Sequence, residues 1–126
     1  MPLTRVSLRR GKPPEYRRAI LDQLYQAMRE TFDVPEDDRF MVVTEHNAAD
    51  LLYGEHYLGI ERSDNLVLIQ ITANNTRSPA QKNALFKRIA ERLAQKPGIR
   101  PEDVLVNLVE VTKENWSFGQ GLAQYA

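Results

Sequence analysis

Pro2 is the residue of this sequence with the most unusual chemistry open to it. A methionine followed by a small residue such as proline is normally removed, so we expect Met1 to be lost and the secondary amine of Pro2 to become free. An α-amino group has a pKa of about 7.7–8.0, and burial in an apolar pocket or a nearby arginine lowers that value. Such an amine is neutral at physiological pH and can act as a general base. The alternative is that proline follows the initiator methionine for no chemical reason.

The histidines, the glycines and the absence of cysteine point to no metal, phosphate or thiol site. His46 and His56 each follow a glutamate, but their spacing of ten residues matches no recognised metal motif, so the sequence predicts no metal site. Gly119 and Gly121 form no phosphate-binding fingerprint, because no strand-to-helix turn and no third glycine follow them. The sequence has no cysteine, which excludes thiol chemistry and disulfides and favours the reducing cytoplasm. We therefore expect a cytoplasmic protein without a cofactor.

The composition is typical of a globular domain. A chain of 126 residues can bury a core, and Lys plus Arg equals Asp plus Glu at 17 each, so no net charge attracts nucleic acid or acidic membranes. No apolar run approaches the roughly 20 residues of a membrane helix. The start Pro-Leu-Thr-Arg lacks the apolar core of a signal peptide, so we expect no export. Six cations crowd the first fifth of the chain, where a solvated surface is favoured over a polyanion site: Arg5, Arg9, Arg10, Lys12, Arg17 and Arg18.

Hydrophobic periodicity predicts a strand, a helix and a strand, twice in succession. In the first half, the strands are predicted at Leu3–Leu8 and Arg39–Thr44 and the amphipathic helix at Glu15–Phe32. In the second half, the strands are predicted at Leu66–Thr72 and Val104–Val111. The second helix begins after Ser78 with Pro79 in its first turn and Gln81 reaching back as a capping box, and it ends at Lys96-Pro97-Gly98.

The two halves, about 1–45 and 66–111, indicate an internal duplication. Pro35-Glu36-Asp37 falls on Pro101-Glu102-Asp103 at a spacing of about 66 residues. Strands joined through a helix run parallel with a right-handed crossover, so we expect a single α/β (α+β) domain over residues 1–126, with a four-stranded sheet and two helices on one face. The other face needs a cover, most simply an oligomer. A long connection and a C-terminal tail lie outside the repeat.

Five short motifs follow one another along almost the whole chain. The most specific is Asn115-Trp116-Ser117-Phe118-Gly119-x-Gly121. The others are Pro2-Leu3, Phe32-x-Val34-Pro35-x-x-Asp38-Arg39-Phe40, Leu58-Gly59-x-x-Arg62-Ser63 and Arg77-Ser78-x-x-Gln81-Lys82. In these motifs the chain resembles the tautomerase superfamily and, within it, the malonate semialdehyde decarboxylase group. That resemblance implies tandem βαβ units, an amino-terminal catalytic proline and a homotrimer.

The resemblance also implies roles for particular residues. In that family an aspartate after the first helix, matched by Asp38, activates water or sets the protonation of the proline. An arginine before the second helix, matched by Arg77, binds the substrate carboxylate. Trp116 and Phe118 match an apolar wall that excludes water and keeps the pKa of the proline low. Taken alone, Asp38 and Arg77 would indicate solvated surface charges, and Trp116 a core or interface residue.

The chain departs from the decarboxylase pattern at the end of the third strand. The decarboxylase has two arginines there, one on each side of a proline, whereas residues 73–77 are one residue longer and keep only the second, Arg77. Asn74 or Asn75 takes the place of the first, which weakens carboxylate binding and carbonyl polarisation. We therefore expect keto–enol tautomerisation of a small 2-oxo acid, with Asn74 in substrate binding. The alternatives are decarboxylation or hydration of 3-oxo or acetylenic acids, or a non-catalytic trimeric binding protein.

Overall fold

A computed structural model describes residues 2–125. Four strands and two long helices alternate in the predicted order. They are β1 (Leu3–Arg9), α1 (Pro14–Phe32), β2 (Phe40–His46), β3 (Val67–Asn74), α2 (Pro79–Gln95) and β4 (Val104–Val111). No helix in the described range is long and apolar enough to cross a membrane.

The four strands form one mixed sheet in the order β2-β1-β3-β4. Each helix-linked pair, β1 with β2 and β3 with β4, is parallel as predicted, and β1 pairs with β3 in the antiparallel direction. Leu3 lies opposite both Phe40 and Thr72, and Asn74 lies opposite Val111. The starts of β1 and β2 therefore share one edge of the sheet with the ends of β3 and β4.

Both helices cover the same face of the sheet. Alternate side chains of the central strands, such as Val6 and Ile69, are buried there against Leu24 of α1 and Leu85 and Ile89 of α2. Each such side chain contributes about 1.5–3 kcal/mol by leaving water. The opposite face carries Arg5, Ser7 and Gln70 in its centre and exposed apolar side chains on its outer strands: Phe40, Val42, Leu105 and Val109. The predicted arrangement of two helices on one face is confirmed.

Local sequence signals set the helix ends. Ser78 Oγ accepts from the backbone N–H of Gln81 at 3.2 Å, and Gln81 Oε1 accepts from the backbone N–H of Ser78 at 3.0 Å, so the predicted capping box is present. The first helix ends where Asp33 takes a left-handed conformation with φ 53°. The second ends before Gly98, whose N–H donates to the carbonyl of Leu93 at 3.0 Å.

Three strands run past their predicted ends, and the spacing between the two halves is shorter than the sequence predicts. Strand β1 extends to Arg9, β2 to His46 and β3 to Asn74, because each pairs with a neighbouring strand there and such pairing holds polar residues that periodicity leaves out. Leu3 and Val67, at which β1 and β3 begin, lie 64 residues apart rather than 66. Pro35 precedes its strand by two residues more than Pro101 does, and those extra residues form the turn that carries Asp38.

Candidate active site

The sheet register gathers the predicted site residues at one edge. Pro2 is buried and directly precedes Leu3, at the start of β1. Asp38 lies two residues before β2, while Asn74 ends β3 and Arg77 follows it shortly before α2. Since neighbouring strands are about 4.8 Å apart, residues from distant parts of the chain lie within reach of one small molecule.

A cavity of about 450 Å³ opens at this edge. Three of the predicted site residues, Asp38, Asn74 and Arg77, line it together. The cavity also contacts the end of α1, the start of α2 and the C-terminal tail. Its remaining lining residues are Phe32, Asp33, Pro35, Thr76, Gln81, Lys113 and Tyr125.

Asp38 is a buried carboxyl group, with 8% of its surface exposed. A tight turn holds it: its backbone N–H donates to the carbonyl of Pro35 at 3.2 Å, and the next residue but one begins β2. Burial raises the pKa of Asp38 above its ordinary value, and nearby positive charge, including that of Arg77, partly opposes the rise. A carboxyl group with a raised pKa is suited to exchanging protons with a neighbouring amine.

Arg77 is fixed against the end of the first helix. Its Nη2 donates to the carbonyl oxygen of Phe32 at 2.8 Å, and its guanidinium carbon lies 4.8 Å from the centre of the Phe32 ring. The carbonyls at a helix C-terminus favour a cation there. One N–H is used in this contact, so the guanidinium retains donors for a carboxylate in the cavity.

Asn74 offers its amide to the cavity in a defined orientation. Its side chain is 6% exposed, and its Oδ1 accepts a hydrogen bond of 2.7 Å from the indole Nε1 of Trp116. The hydrogen bond from Trp116 fixes the orientation of the amide, whose NH₂ group is the donor that Asn74 can offer to a ligand. Asn74 thus supplies a neutral donor, not a cation, to the cavity.

Trp116 and Phe118, predicted as an apolar wall, stack on each other beside the cavity and are not among its lining residues. The rings of Trp116 and Phe118 are nearly parallel with their centres 5.4 Å apart, and Phe118 meets Tyr125 edge-on at 5.0 Å. Trp116 hydrogen-bonds to Asn74, and Phe118 packs against Tyr125; Asn74 and Tyr125 both line the cavity. Burial, followed by the negative charge of Asp38, raises the pKa of the Tyr125 hydroxyl.

Sequence reasoning missed Tyr125 and Lys113. Both lie in the C-terminal tail, and nothing in their local sequence shows that the tail folds back over the sheet edge. The fold-back is held by Gln124, whose Oε1 accepts from the backbone N–H of Phe118 at 2.9 Å and whose Nε2 donates to the carbonyl of Gly119 at 3.0 Å.

The loss of Met1 and the absence of a metal site remain predictions. Loss of Met1, on which the basicity of Pro2 depends, concerns a residue outside the described range 2–125. Within that range no group of three or more histidine and acidic side chains is placed to hold a metal ion. His56 instead faces Glu61, with Nδ1 and Oε1 3.2 Å apart.

Comparison with known proteins gives consistent matches over the full length. Two family models, each described as "tautomerase enzyme", match residues 38–119 and 2–60. Among curated proteins of Bacillus subtilis (strain 168), the probable tautomerase YusQ is 37% identical over 124 residues, covering 98% of both chains. The probable tautomerase YrdN is 35% identical over 125 residues, covering 99% of this chain and 96% of its own.

The solved structures that resemble this chain include malonate semialdehyde decarboxylase. That enzyme, for which decarboxylase and hydratase activities are described, is 33% identical with a TM-score of 0.93, and the match covers 98% of this chain and 95% of the decarboxylase. A fused 4-OT that forms a symmetric trimer shares the fold at 22% identity, with a TM-score of 0.80 and coverage of 98% and 97%.

Proposed function

The chain belongs to the tautomerase family, and on that premise we propose that it interconverts the keto and enol forms of a small 2-oxo acid with Pro2 as the base. One observation carries the proposal. A buried carboxyl group, Asp38, and a fixed guanidinium, Arg77, line the same cavity at the edge where β1 begins, directly after Pro2. This isomerisation requires a base and a carboxylate anchor, and a buried carboxyl group can set the protonation of the base.

The proton transfer balances within the substrate and one amine. The neutral amine of Pro2 takes the proton from C3 of the keto form. The electron pair of the broken C3–H bond forms the C2–C3 double bond, and the π pair of the carbonyl moves to its oxygen, which becomes the enolate oxygen. The protonated amine then returns its proton to that oxygen and is neutral again. In the reverse direction the same amine takes the hydroxyl proton and delivers it to carbon. No oxidant, metal or cofactor takes part.

The cavity residues supply binding and charge stabilisation. Arg77 binds the substrate carboxylate through the donors that Phe32 leaves free. The NH₂ group of Asn74 donates to the oxygen on which negative charge develops. Asp38, with its raised pKa, exchanges a proton with the amine of Pro2 and so sets its charge.

We also propose that the enzyme is a cytoplasmic homotrimer. Support comes from the exposed apolar side chains on the sheet face that the helices leave open, including Val42 and Leu105, and from the trimeric state of a fused 4-OT with the same fold. The cysteine-free sequence supports a reducing compartment.

Decarboxylation or hydration of a 3-oxo acid is the second candidate. It is favoured by the 33% identity and TM-score of 0.93 to malonate semialdehyde decarboxylase. A neutral asparagine in place of a cation supplies less polarisation, which is why tautomerisation is preferred. The two reactions differ in pH dependence: a neutral amine base loses activity as the pH falls through its pKa, whereas a protonated amine acid loses activity as the pH rises through it.

The deciding experiment uses protein whose intact mass establishes that Met1 is absent. Ketonisation of phenylpyruvate enol and decarboxylation of malonate semialdehyde are measured for the native chain and for Pro2→Ala and Arg77→Ala. Pro14→Ala and Arg29→Ala, at exposed positions that do not line the cavity, are the matched controls. We expect both controls to keep full activity, Pro2→Ala to lose at least a hundredfold in kcat, and Arg77→Ala to raise KM. Unchanged activity in Pro2→Ala would exclude this mechanism, and inactivity of the native chain on both substrates would favour the binding-protein alternative.

A further inference from the structure

A second polar cavity lies at the opposite edge of the sheet. There the ends of β1 and β2 meet the start of β3, and the space between them has a volume of about 400 Å³. We call it the basic pocket, and it is lined by Arg9, Arg10, Gly11, Lys12, Asn47, Ala48, Asp64 and Asn65. The length of β1 separates it from the active-site edge, about 20 Å at the usual strand rise.

The one acidic side chain of the basic pocket is neutralised internally. Asp64 Oδ1 lies 2.8 Å from Nη1 of Arg9 and accepts a hydrogen bond of 2.7 Å from the hydroxyl of Tyr53. The guanidinium of Arg9 is held further by a 3.2 Å hydrogen bond to the carbonyl of Leu51. Arg9 and Asp64 therefore cancel each other's charge, while the buried Nε of Arg9 keeps a donor without a hydrogen-bond partner among the described residues.

Arg10 and Lys12 then leave the basic pocket with two positive charges. Neither forms an ion pair with any residue in the range 2–125. Lys12 Nζ lies 5.0 Å from the centre of the Tyr16 ring, a contact that holds the ammonium group without neutralising it. The two cations that follow on α1 are paired, since Arg17 lies 3.3 Å from Glu45 and Arg18 lies 3.1 Å from Asp22.

Hydrogen bonds hold the backbone at Arg10 and Lys12 in place. The N–H of Arg10 donates to the carbonyl of His46 at 2.8 Å, and the carbonyl of Lys12 accepts from Nη1 of Arg17 at 2.7 Å. Preorganised donors lose less entropy when an anion binds. Asn47 and Asn65 add neutral amide groups to the walls.

We propose that the basic pocket binds a phosphate group. Two uncompensated cations match the charge of a phosphate dianion better than that of a carboxylate, and guanidinium, ammonium and amide groups are the donors that phosphate oxygens accept. The site is separate from the isomerase cavity and does not depend on the reaction proposed above. A phosphate group could be free or carried by an organic phosphate monoester.

The test is a titration of the uniformly ¹⁵N-labelled protein with inorganic phosphate and, separately, with glycerol phosphate at pH 7.5, where both are largely dianionic. Sodium acetate is the carboxylate comparison. We expect saturable shifts of the Gly11 backbone amide and of the side-chain amides of Asn47 and Asn65, with acetate binding at least tenfold more weakly. Saturation by glycerol phosphate as well as by inorganic phosphate would indicate a monoester ligand, whereas saturation by inorganic phosphate alone would indicate free phosphate.

A pair of double variants with equal loss of charge makes the titration decisive. Arg10→Gln with Lys12→Gln should weaken phosphate binding at least tenfold. Arg29→Gln with Lys87→Gln, at exposed positions on the helices, should leave it unchanged. Equal weakening in both double variants would reduce the effect to net charge and overturn the proposal. Shifts confined to residues around Asp38 and Arg77 would also overturn it, because phosphate would then occupy the isomerase cavity alone.

Discussion

The indole Nε1 of Trp116 donates a 2.7 Å hydrogen bond to Oδ1 of Asn74, joining the C-terminal tail to the end of β3. The contact turns the amide of Asn74 so that its NH₂ group is the part free to donate. Trp116 therefore contacts the cavity through Asn74. Asn74 is one of the two residues that replace an arginine of the decarboxylase pattern in the sequence, and its oriented NH₂ group offers a hydrogen-bond donor without a charge.

Trp116→Phe should lower kcat/KM for ketonisation about tenfold, close to the ~1.4 kcal/mol expected of one hydrogen bond. The ring that stacks on Phe118 remains, so the loss reports the N–H group. Asn74→Ala and the double variant complete a thermodynamic cycle measured by steady-state kinetics. The two losses should be strongly non-additive if Trp116 acts through Asn74, and simple additivity would refute the coupling.

Asp38→Asn should make the protein more stable at pH 7 and less active. The folded-state pKa of Asp38 is raised, so the folded protein binds more protons than the unfolded chain, and native stability falls as the pH rises from the ordinary pKa of 3.8 towards the raised value. Asparagine does not ionise, so urea unfolding should show the gain at pH 7 and no gain near pH 3. Asp37→Asn, in the same turn but exposed, is the control. A gain that persists undiminished at pH 3 would contradict the assigned pKa shift.

Gln81→Ala should raise KM for the oxo acid several-fold with a smaller change in kcat. The side chain of Gln81 closes the capping box with Ser78 and donates to the carbonyl of Thr31 at 3.4 Å, tying the two helix ends together beside Arg77. Loss of the Gln81 half of the capping box should also cost about 0.5–1 kcal/mol in the free energy of unfolding, because the backbone N–H of residue 81 still donates to Ser78 Oγ. Gln26→Ala, exposed on α1, should do neither. If KM stays at the native value while stability falls, Gln81 is a purely structural cap.

Glu30→Gln should remove a pH-dependent part of the stability. Hydrogen bonds from Arg88 and then Arg92 lower the pKa of Glu30 from 4.5 to about 2. The stabilisation is therefore complete above about pH 4.5 and is lost as the pH falls through 2. Because 37% of the Glu30 side chain is exposed, we expect a contribution below about 1 kcal/mol at pH 7. Chemical unfolding at pH 7 and pH 2 measures it. Glu36→Gln, at an exposed position that forms no ion pair within the range 2–125, should show no such pH-dependent loss.

Much of the fold could be predicted because its signals are local. Alternating apolar residues mark β1 at Leu3, and the Ser78-Pro79 step with Gln81 marks the start of α2, since strand periodicity and capping act between near neighbours in the chain. Strand bounds were less accurate. His46 and Asn74 lie in strands because a neighbouring strand pairs with them, and such pairing leaves no trace in local periodicity.

The sequence by itself determined the order of elements, the residue types at the site and membership of a family whose motifs run from Pro2 to Gly121. Only the tertiary structure decided that the tail brings Tyr125 and Lys113 to the cavity, that Arg77 rests on Phe32, and that Trp116 orients Asn74. It also separated the crowded amino-terminal cations, pairing Arg17 and Arg18 while leaving Arg10 and Lys12 in a pocket. The physical reason is the same in each case. These relationships depend on distances between residues far apart in the chain, and the packing of the sheet against its helices sets those distances.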